Sequence, residues 1–272
     1  MERFTKDFKN YHINCMGEGQ VLDLPMVCVT GTRRATPYGL ALARICGEAV
    51  AEAGLTLLMT AALGCSVEAA RAASKSGGDV VVVTATGVDV PYPHASEDIF
   101  DAAKCVVSLE SDGTPAMRHA FPRRNELIAS MATVTIVCEA GLRSGTTDAA
   151  LKCESVWAFP GSVLSRASDG TNMLIRNGAR AILGENDLRD MLTDHFALPN
   201  GTFGMPTDAY EQKDDVMRSL TATPMTTQEL VDAMGLDPLH VLRTLARYEA
   251  DGMVVRMPDG RYAAHMMRKV IG

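Results

Sequence analysis

The sequence predicts an α/β chain: a large doubly wound domain built on a parallel sheet, then a small helical domain with a terminal hairpin. Three observations predict it. Short, continuously apolar runs rich in β-branched residues recur through residues 25–182. The segments between them place apolar residues at helical spacing. Near 195–210 this rhythm stops in a Pro/Gly-rich stretch, and about 60 residues of another type follow. Strands apolar on both faces need cover on both faces, and alternation with helices supplies it through parallel crossovers.

Residues 1–24 show little periodicity and read as a lead-in, so the large domain is assigned to 25–198. Its strands are expected at 25–30, 55–59, 80–83, 105–109, 134–138 and 156–159, with a short one at 181–182. Helices are expected at 37–53, closed by Gly54, then at 65–76, 96–103, 122–131, 146–154 and 171–177. Residues 199–208 form a linker. Beyond it, 209–272 carries a helix at 209–220, then Thr226 and Glu229 at capping-box spacing, then a helix stop at Gly235. A third helix opens at Asp237-Pro238, and turns at Asp251-Gly252 and Pro258-Asp259-Gly260 bracket two short strands. Three helices and a two-stranded hairpin make a winged helix-turn-helix.

Composition narrows the function. The 272 residues carry 33 acidic and 26 basic side chains, a net charge of −7, and 47% are hydrophobic. A sizeable core follows, and wholesale disorder is excluded. The N-terminus lacks a signal-peptide core and no apolar run reaches membrane-spanning length, so a cytoplasmic location is expected, with no membrane partner. Seven cysteines, none at C-x-x-C spacing, read as small buried hydrophobes rather than a zinc site or disulfide frame. The acidity argues against a broad basic face, while leaving room for a local basic pocket.

Ligands of open parallel sheets bind beyond the carboxyl ends of the strands. After the first apolar strand comes Gly31-Thr32-Arg33-Arg34, a turn that frees helix N–H groups and adds two forked cations. After the second, Ala61-Ala62-Leu63-Gly64 is small and backbone-permissive. After the fourth, Arg118, Arg123 and Arg124 are interleaved with His119, Phe121 and Asn125, as a single strand of nucleic acid requires of its partner: cations for phosphates, a ring for a base. Phe121 reads equally as a core plug beside Pro122, and His119 as a solvated loop residue. After the fifth, Arg143-Ser144-Gly145-Thr146 suits a phosphate nest, helix capping by Ser144 or Thr146, or both. After the sixth, Asn172 reads as a helix cap. Segments 30–50 and 113–147 each carry a local net charge of +2. No nucleophile–base pair, metal cluster or paired catalytic carboxylates stand out, so no catalytic residue and no cofactor is assigned.

In chain order, Gly-Thr-Arg-Arg-Ala-Thr-Pro-Tyr-Gly at 31–39, Phe-Pro-Arg-Arg-Asn-Glu-Leu-Ile-Ala at 121–129, Glu139 through Arg143-Ser144-Gly145, Pro160-Gly161-Ser162-Val163 and 169–175 resemble the bacterial DNA-processing protein A (DprA, or Smf) family over roughly residues 25–190. The resemblance implies an extended Rossmann-like domain, single-stranded DNA as ligand, a homodimer, and loading of a RecA-type recombinase during natural transformation. It implies that Arg33 grips a phosphate, that Arg118 occupies a basic position, that Phe121 walls the pocket, and that Asn125, Ser144 and Gly145 complete it. Arg33, Arg118 and Arg124 are expected to hold phosphates, with Phe121 as the stacking ring. Ser66 stands where relatives carry aspartate, Ala70 where histidine is usual, and the stretch from Gly145 to Pro160 is a few residues short.

Two other functions fit parts of the chain. Residues 141–148 resemble the phosphate loop of nucleotide phosphoribohydrolases of the lysine-decarboxylase-like group, with Asp148 a poor stand-in for their glutamate. The winged helix could read duplex DNA, but its presumed recognition helix offers only Arg243 and Arg247, and residues 206–272 carry 8 basic against 10 acidic groups. A protein-interaction or regulatory role suits that tail better.

Overall fold

The computed structural model describes residues 2–199, 201–203, 215–250 and 252–264. The chain divides into two units, 1–203 and 204–272. In the first, strands β3 (Met26–Thr30), β4 (Thr56–Met59), β5 (Val80–Thr84), β6 (Cys105–Ser108), β7 (Val134–Val137), β8 (Val156–Ala158) and β9 (Arg180–Ala181) run parallel. They alternate with α1 (Pro37–Glu52), α2 (Cys65–Lys75), α3 (Glu97–Ala102), α4 (Ala120–Met131), α5 (Gly145–Ala150) and α6 (Asp169–Arg176). Every residue of β3 to β7 is buried, as strands covered by helices on both faces must be. The expected doubly wound α/β architecture is therefore present.

The lead-in differs from expectation. Residues 1–24 contain a hairpin, β1 (Arg3–Phe8) and β2 (Tyr11–Gly17), and a short 3-10 turn at Gly19–Asp23. β2 pairs antiparallel with β6, so the sheet has nine strands in the order β1-β2-β6-β5-β4-β3-β7-β8-β9. The cause is a period of two: Phe4 and Phe8 from β1 and Ile13 and Cys15 from β2 pack on one cluster with Val21, Leu22 and Met26. The intervening residues are exposed or half-buried, which dilutes the apolar signal to near silence.

A further helix, α7 (Glu185–Phe196), follows β9 where none was expected. Leu188, Met191 and Leu192 at i, i+3 and i+4 are buried in the main core with α1. Each such side chain contributes about 1.5–3 kcal/mol of burial, enough to hold a helix whose other faces are acidic. Asn172 is also not a cap: its amide exchanges two hydrogen bonds with Gly161, both 3.1 Å, and clamps the loop after β8, while Ser168 holds the cap position of α6. Six of the seven cysteines are buried and all are free.

In the second unit lie α8 (Asp215–Ala222), α9 (Thr227–Met234), α10 (Pro238–Ala250) and an antiparallel hairpin of β10 (Val254–Arg256) and β11 (Tyr262–Ala264). The capping box forms: the Glu229 N–H donates to Thr226 Oγ1 at 3.2 Å, and the Thr226 N–H to Glu229 Oε2 at 2.7 Å. Gly235 closes α9 in the left-handed conformation at φ 62°. Val216, Leu220, Leu230, Val241, Leu245 and Tyr248 form this unit's own core with Val254 and Tyr262. The first part of the helix expected at 209–220 lies outside the described residues.

Candidate nucleic-acid interface

The chain builds β3, β4, β5 and β6 outward in one direction, then returns to place β7 on the other flank of β3. Loops leaving β3 and β7 therefore part in opposite directions, and the crevice between them is the switch point where doubly wound sheets hold ligands.

Those loops are fastened to one another. The Thr32 N–H donates to the Glu139 carbonyl at 2.7 Å, the Thr146 hydroxyl to the Gly31 carbonyl at 3.0 Å, and the Cys65 N–H to the Thr32 carbonyl at 3.3 Å. Glu139, 2% exposed, accepts the Thr36 N–H at 2.8 Å and the Thr36 hydroxyl at 2.6 Å. Thr36 in turn caps α1, ahead of Pro37. Such close approach requires glycine twice. A Cβ on Gly31 would lie 2.5 Å from Cys65 Sγ, and one on Gly64, at φ 79°, would lie 2.2 Å from the Thr32 carbonyl oxygen.

Phe121 is the centre of the cationic part. It is half-buried in the first turn of α4. The guanidinium carbons of Arg33 and Arg124 lie 5.8 and 5.6 Å from its ring centroid. Arg124 departs from the expectation of a phosphate-facing group: it is 6% exposed. One nitrogen donates to the Thr60 carbonyl, while Nε and Nη2 both donate to Asn125 Oδ1, at 3.2 and 2.9 Å. The reason is helical phase. Arg124 shares the stripe of Leu127, Ile128 and Met131, which turns inward. Burial, helped by the neighbouring Arg33, lowers its pKa to about 10, so it stays protonated at neutral pH. With its oxygen consumed, Asn125 has its amide N–H groups left for a ligand.

Arg33, Arg34, Arg118 and Arg143 are exposed, and none has a carboxylate within ion-pair distance among the described residues. Arg123 differs, pairing with Glu110 at 3.0 Å. Ser144 caps α5, its Oγ accepting the Thr147 N–H at 3.2 Å, and Thr146 is spent on Gly31. A phosphate there would therefore meet backbone N–H groups at Gly145, which has open space over it, rather than free hydroxyls. Contacts thus join Gly31, Thr32 and Thr146 into one frame, to which the Arg34 N–H adds a hydrogen bond to the Thr32 hydroxyl at 3.3 Å, and Arg33, Phe121, Arg124 and Asn125 into one cluster; Arg118, Arg143 and Gly145 stand at the same strand edge with no linking side-chain contact among the described residues.

One participant was not foreseen. Tyr92, in the loop after β5, meets the Phe121 ring edge-on, with centroids 6.0 Å apart and planes at 63°. That loop is tied to the one carrying Arg118: the Gly87 N–H donates to the Thr114 carbonyl at 2.9 Å, and the Gly113 N–H to Asp89 Oδ1 at 2.8 Å. The available signal was Pro91-Tyr92-Pro93, an aromatic held between two rigid residues in a strand-end loop. Beside the frame, Ser66 is satisfied internally, 2.7 Å from Thr60 Oγ1 and 3.2 Å from the Val29 carbonyl, so its hydroxyl supports β4 rather than facing solvent.

These features define a Rossmann-like domain, extended by an antiparallel hairpin, with cationic and aromatic side chains gathered at its switch point. The chain belongs to the DNA recombination-mediator protein A family, whose model matches residues 7–193 and so includes part of the hairpin. A DprA protein of Mycobacterium tuberculosis is 34% identical over 246 residues, spanning 86% of this chain and 63% of the relative. The chain thus matches less than two thirds of that relative's length. Among solved structures, DprA from Streptococcus pneumoniae superposes with a TM-score of 0.61 at 31% identity over 65% of each chain. DprA from Helicobacter pylori superposes with a TM-score of 0.64 at 24% identity over 71% of this chain and 97% of its own. No helix among the described residues is long and apolar enough to cross a membrane.

Proposed function

We propose that the first unit binds single-stranded DNA along the carboxyl edge of the sheet. The observation that carries this reading is the cluster of Arg33, Arg124 and Asn125 around Phe121, near the exposed Arg118. Arg33 and Arg118 face solvent without carboxylate partners among the described residues, so a phosphate meets them at little cost in broken ion pairs. Arg124 acts from beneath: it occupies the Asn125 amide oxygen and so leaves the Asn125 N–H groups for the ligand. Arg34 and Arg143 extend the field to either side, and Gly31, Thr32, Ser144, Gly145 and Thr146 form the frame that backbone or phosphate can approach.

The bound strand is passed to a RecA-type recombinase, by a homodimer, during uptake of DNA in the cytoplasm. The family's description as a recombination mediator supports this, as does the single-stranded DNA bound by the H. pylori relative. No turnover step is needed: Glu139 is committed to Thr36, and Asp148, the acid that an N-glycosidic reading would use, is exposed at the start of α5. The second unit is a winged helix whose third helix is too poor in cations for duplex DNA, and it serves protein contacts.

The test is affinity for oligo-dT at moderate salt. Arg33→Ala and Arg118→Ala each weaken binding; unchanged affinity in both overturns the pocket.

A further inference from the structure

Phe121 is not the sole aromatic at this edge. Tyr92 is 40% exposed, although it touches Phe121. An exposed ring on a mobile loop would mean little, but this loop is heavily constrained. The Thr86 hydroxyl donates to the Val90 carbonyl at 2.7 Å and the Ser96 hydroxyl to the Pro93 carbonyl at 2.7 Å. The Ser108 hydroxyl holds the Thr86 carbonyl from the adjacent strand at 2.5 Å, and Arg71 holds the Ala95 carbonyl at 2.8 Å. Proline on both sides fixes the entry and exit of residue 92. The ring is therefore presented at low entropic cost, with two side-chain torsions to settle. Its hydroxyl has no hydrogen-bond partner among the described residues, so what the loop presents is the ring.

We propose that Tyr92 is a second base-stacking platform, taking the nucleotide next to the one on Phe121. This rests on the single-stranded DNA reading of the site and adds to it a binding residue and a strand geometry. Consecutive stacked nucleotides lie about 3.4 Å apart along a strand. Ring centroids 6.0 Å apart with planes at 63° cannot serve two bases stacked on each other. The strand must splay between them and turn, each base leaving its neighbour for a protein ring. A duplex, whose bases are locked in one column, cannot do this. The pair of rings thus supplies discrimination against double strands in a molecule whose charge would supply little.

The test is oligo-dT binding by the full chain and by Tyr92→Ala, Tyr92→Phe and Tyr92→Leu, each across a salt series and against an abasic oligomer of equal length. Tyr92→Ala should lose about 5- to 100-fold in affinity. Its salt slope should stay at the wild-type value, because no phosphate contact is removed, and its abasic affinity should match wild type. Tyr92→Phe should bind within about twofold of wild type, since the hydroxyl is unused. Tyr92→Leu should resemble Tyr92→Ala. Full binding by Tyr92→Leu would overturn the proposal, because it would reduce Tyr92 to a prop for Phe121; so would Tyr92→Ala binding like wild type. A wild-type chain that fails to bind oligo-dT at all would instead remove the single-strand reading itself.

Discussion

Glu139 is where the fold and the site meet, and Glu139→Ala is the perturbation that separates them. The carboxylate is buried and receives both polar hydrogens of Thr36, so it fastens the loop bearing Arg33 to the loop after β7. Hydrogen bonds to a charged acceptor contribute about 1.5–3 kcal/mol each. Deleting a buried charge that has no cationic partner among the described residues recovers some desolvation cost, which leaves a net loss of about 2–3 kcal/mol. For a unit spanning residues 1–203, at about 2–4 °C per kcal/mol, that is a fall in Tm of about 4–12 °C by calorimetry. The effect on ligand follows from order. An Arg33 released from its frame must be immobilised on binding, at about 0.5–1.5 kcal/mol, or about 2- to 10-fold in Kd for oligo-dT. Removing a negative charge beside a phosphate site works the other way, and Glu139→Gln separates the two: it keeps one acceptor, so it should lose less stability and no affinity. A Glu139→Ala chain with unchanged Tm, or with affinity equal to or above wild type, would refute the claim that this carboxylate pre-organises the site.

Further outcomes are expected. Arg33→Ala should lower the slope of log Kobs against log salt by about 0.7, one phosphate contact's worth, whereas Arg124→Met should weaken oligo-dT binding with the slope unchanged, because Arg124 acts through Asn125; titrations between 50 and 200 mM salt decide it. Gly31→Ala should destabilise by about 1–3 kcal/mol through its clash with Cys65, and Cys65→Ala, which removes Sγ at 2.5 Å but keeps Cβ at 2.7 Å, should restore only part of it, a coupling readable in a double-mutant cycle by urea denaturation. Asp98 is held below its ordinary pKa of 3.8 by its paired hydrogen bonds from Arg71. Its contribution is therefore present above that value and lost as pH falls through the lower folded value. Since both side chains are about half exposed, Asp98→Asn should cost at most about 1 kcal/mol at pH 6, and the difference from wild type should vanish in acid unfolding toward pH 2.

How much was legible in the sequence depended on how completely each element is buried. β3 to β7 announced themselves because both faces are covered, leaving continuous runs such as Val80-Val81-Val82-Val83. β1 and β2 did not: most of their residues are exposed or half-buried, and Lys6, Asp7 and Asn14 interrupt every window. α7 carried a readable triad in Leu188, Met191 and Leu192, masked by acidic neighbours. At the site, the loops after β3, β6 and β7 were legible from glycine and arginine content, since strand ends are where such residues gather. The inward turn of Arg124 was legible in principle, because its spacing to Leu127, Ile128 and Met131 is helical, but residue type pointed outward. Tyr92 was not: its meeting with Phe121 depends on two loops tied together by Gly87, Thr114, Asp89 and Gly113, contacts between segments far apart in the chain.

On the reading proposed above, an acidic chain grips one flexible strand through a confined cluster of arginines and rings. Salt-dependent binding of single-stranded against double-stranded DNA of equal length tests it most directly. The single strand should bind more tightly at every salt concentration, with a slope set by a few phosphate contacts and a smaller slope for the Arg33→Ala Arg118→Ala chain. Equal affinity for both forms, or a slope that the double substitution leaves unchanged, would contradict it.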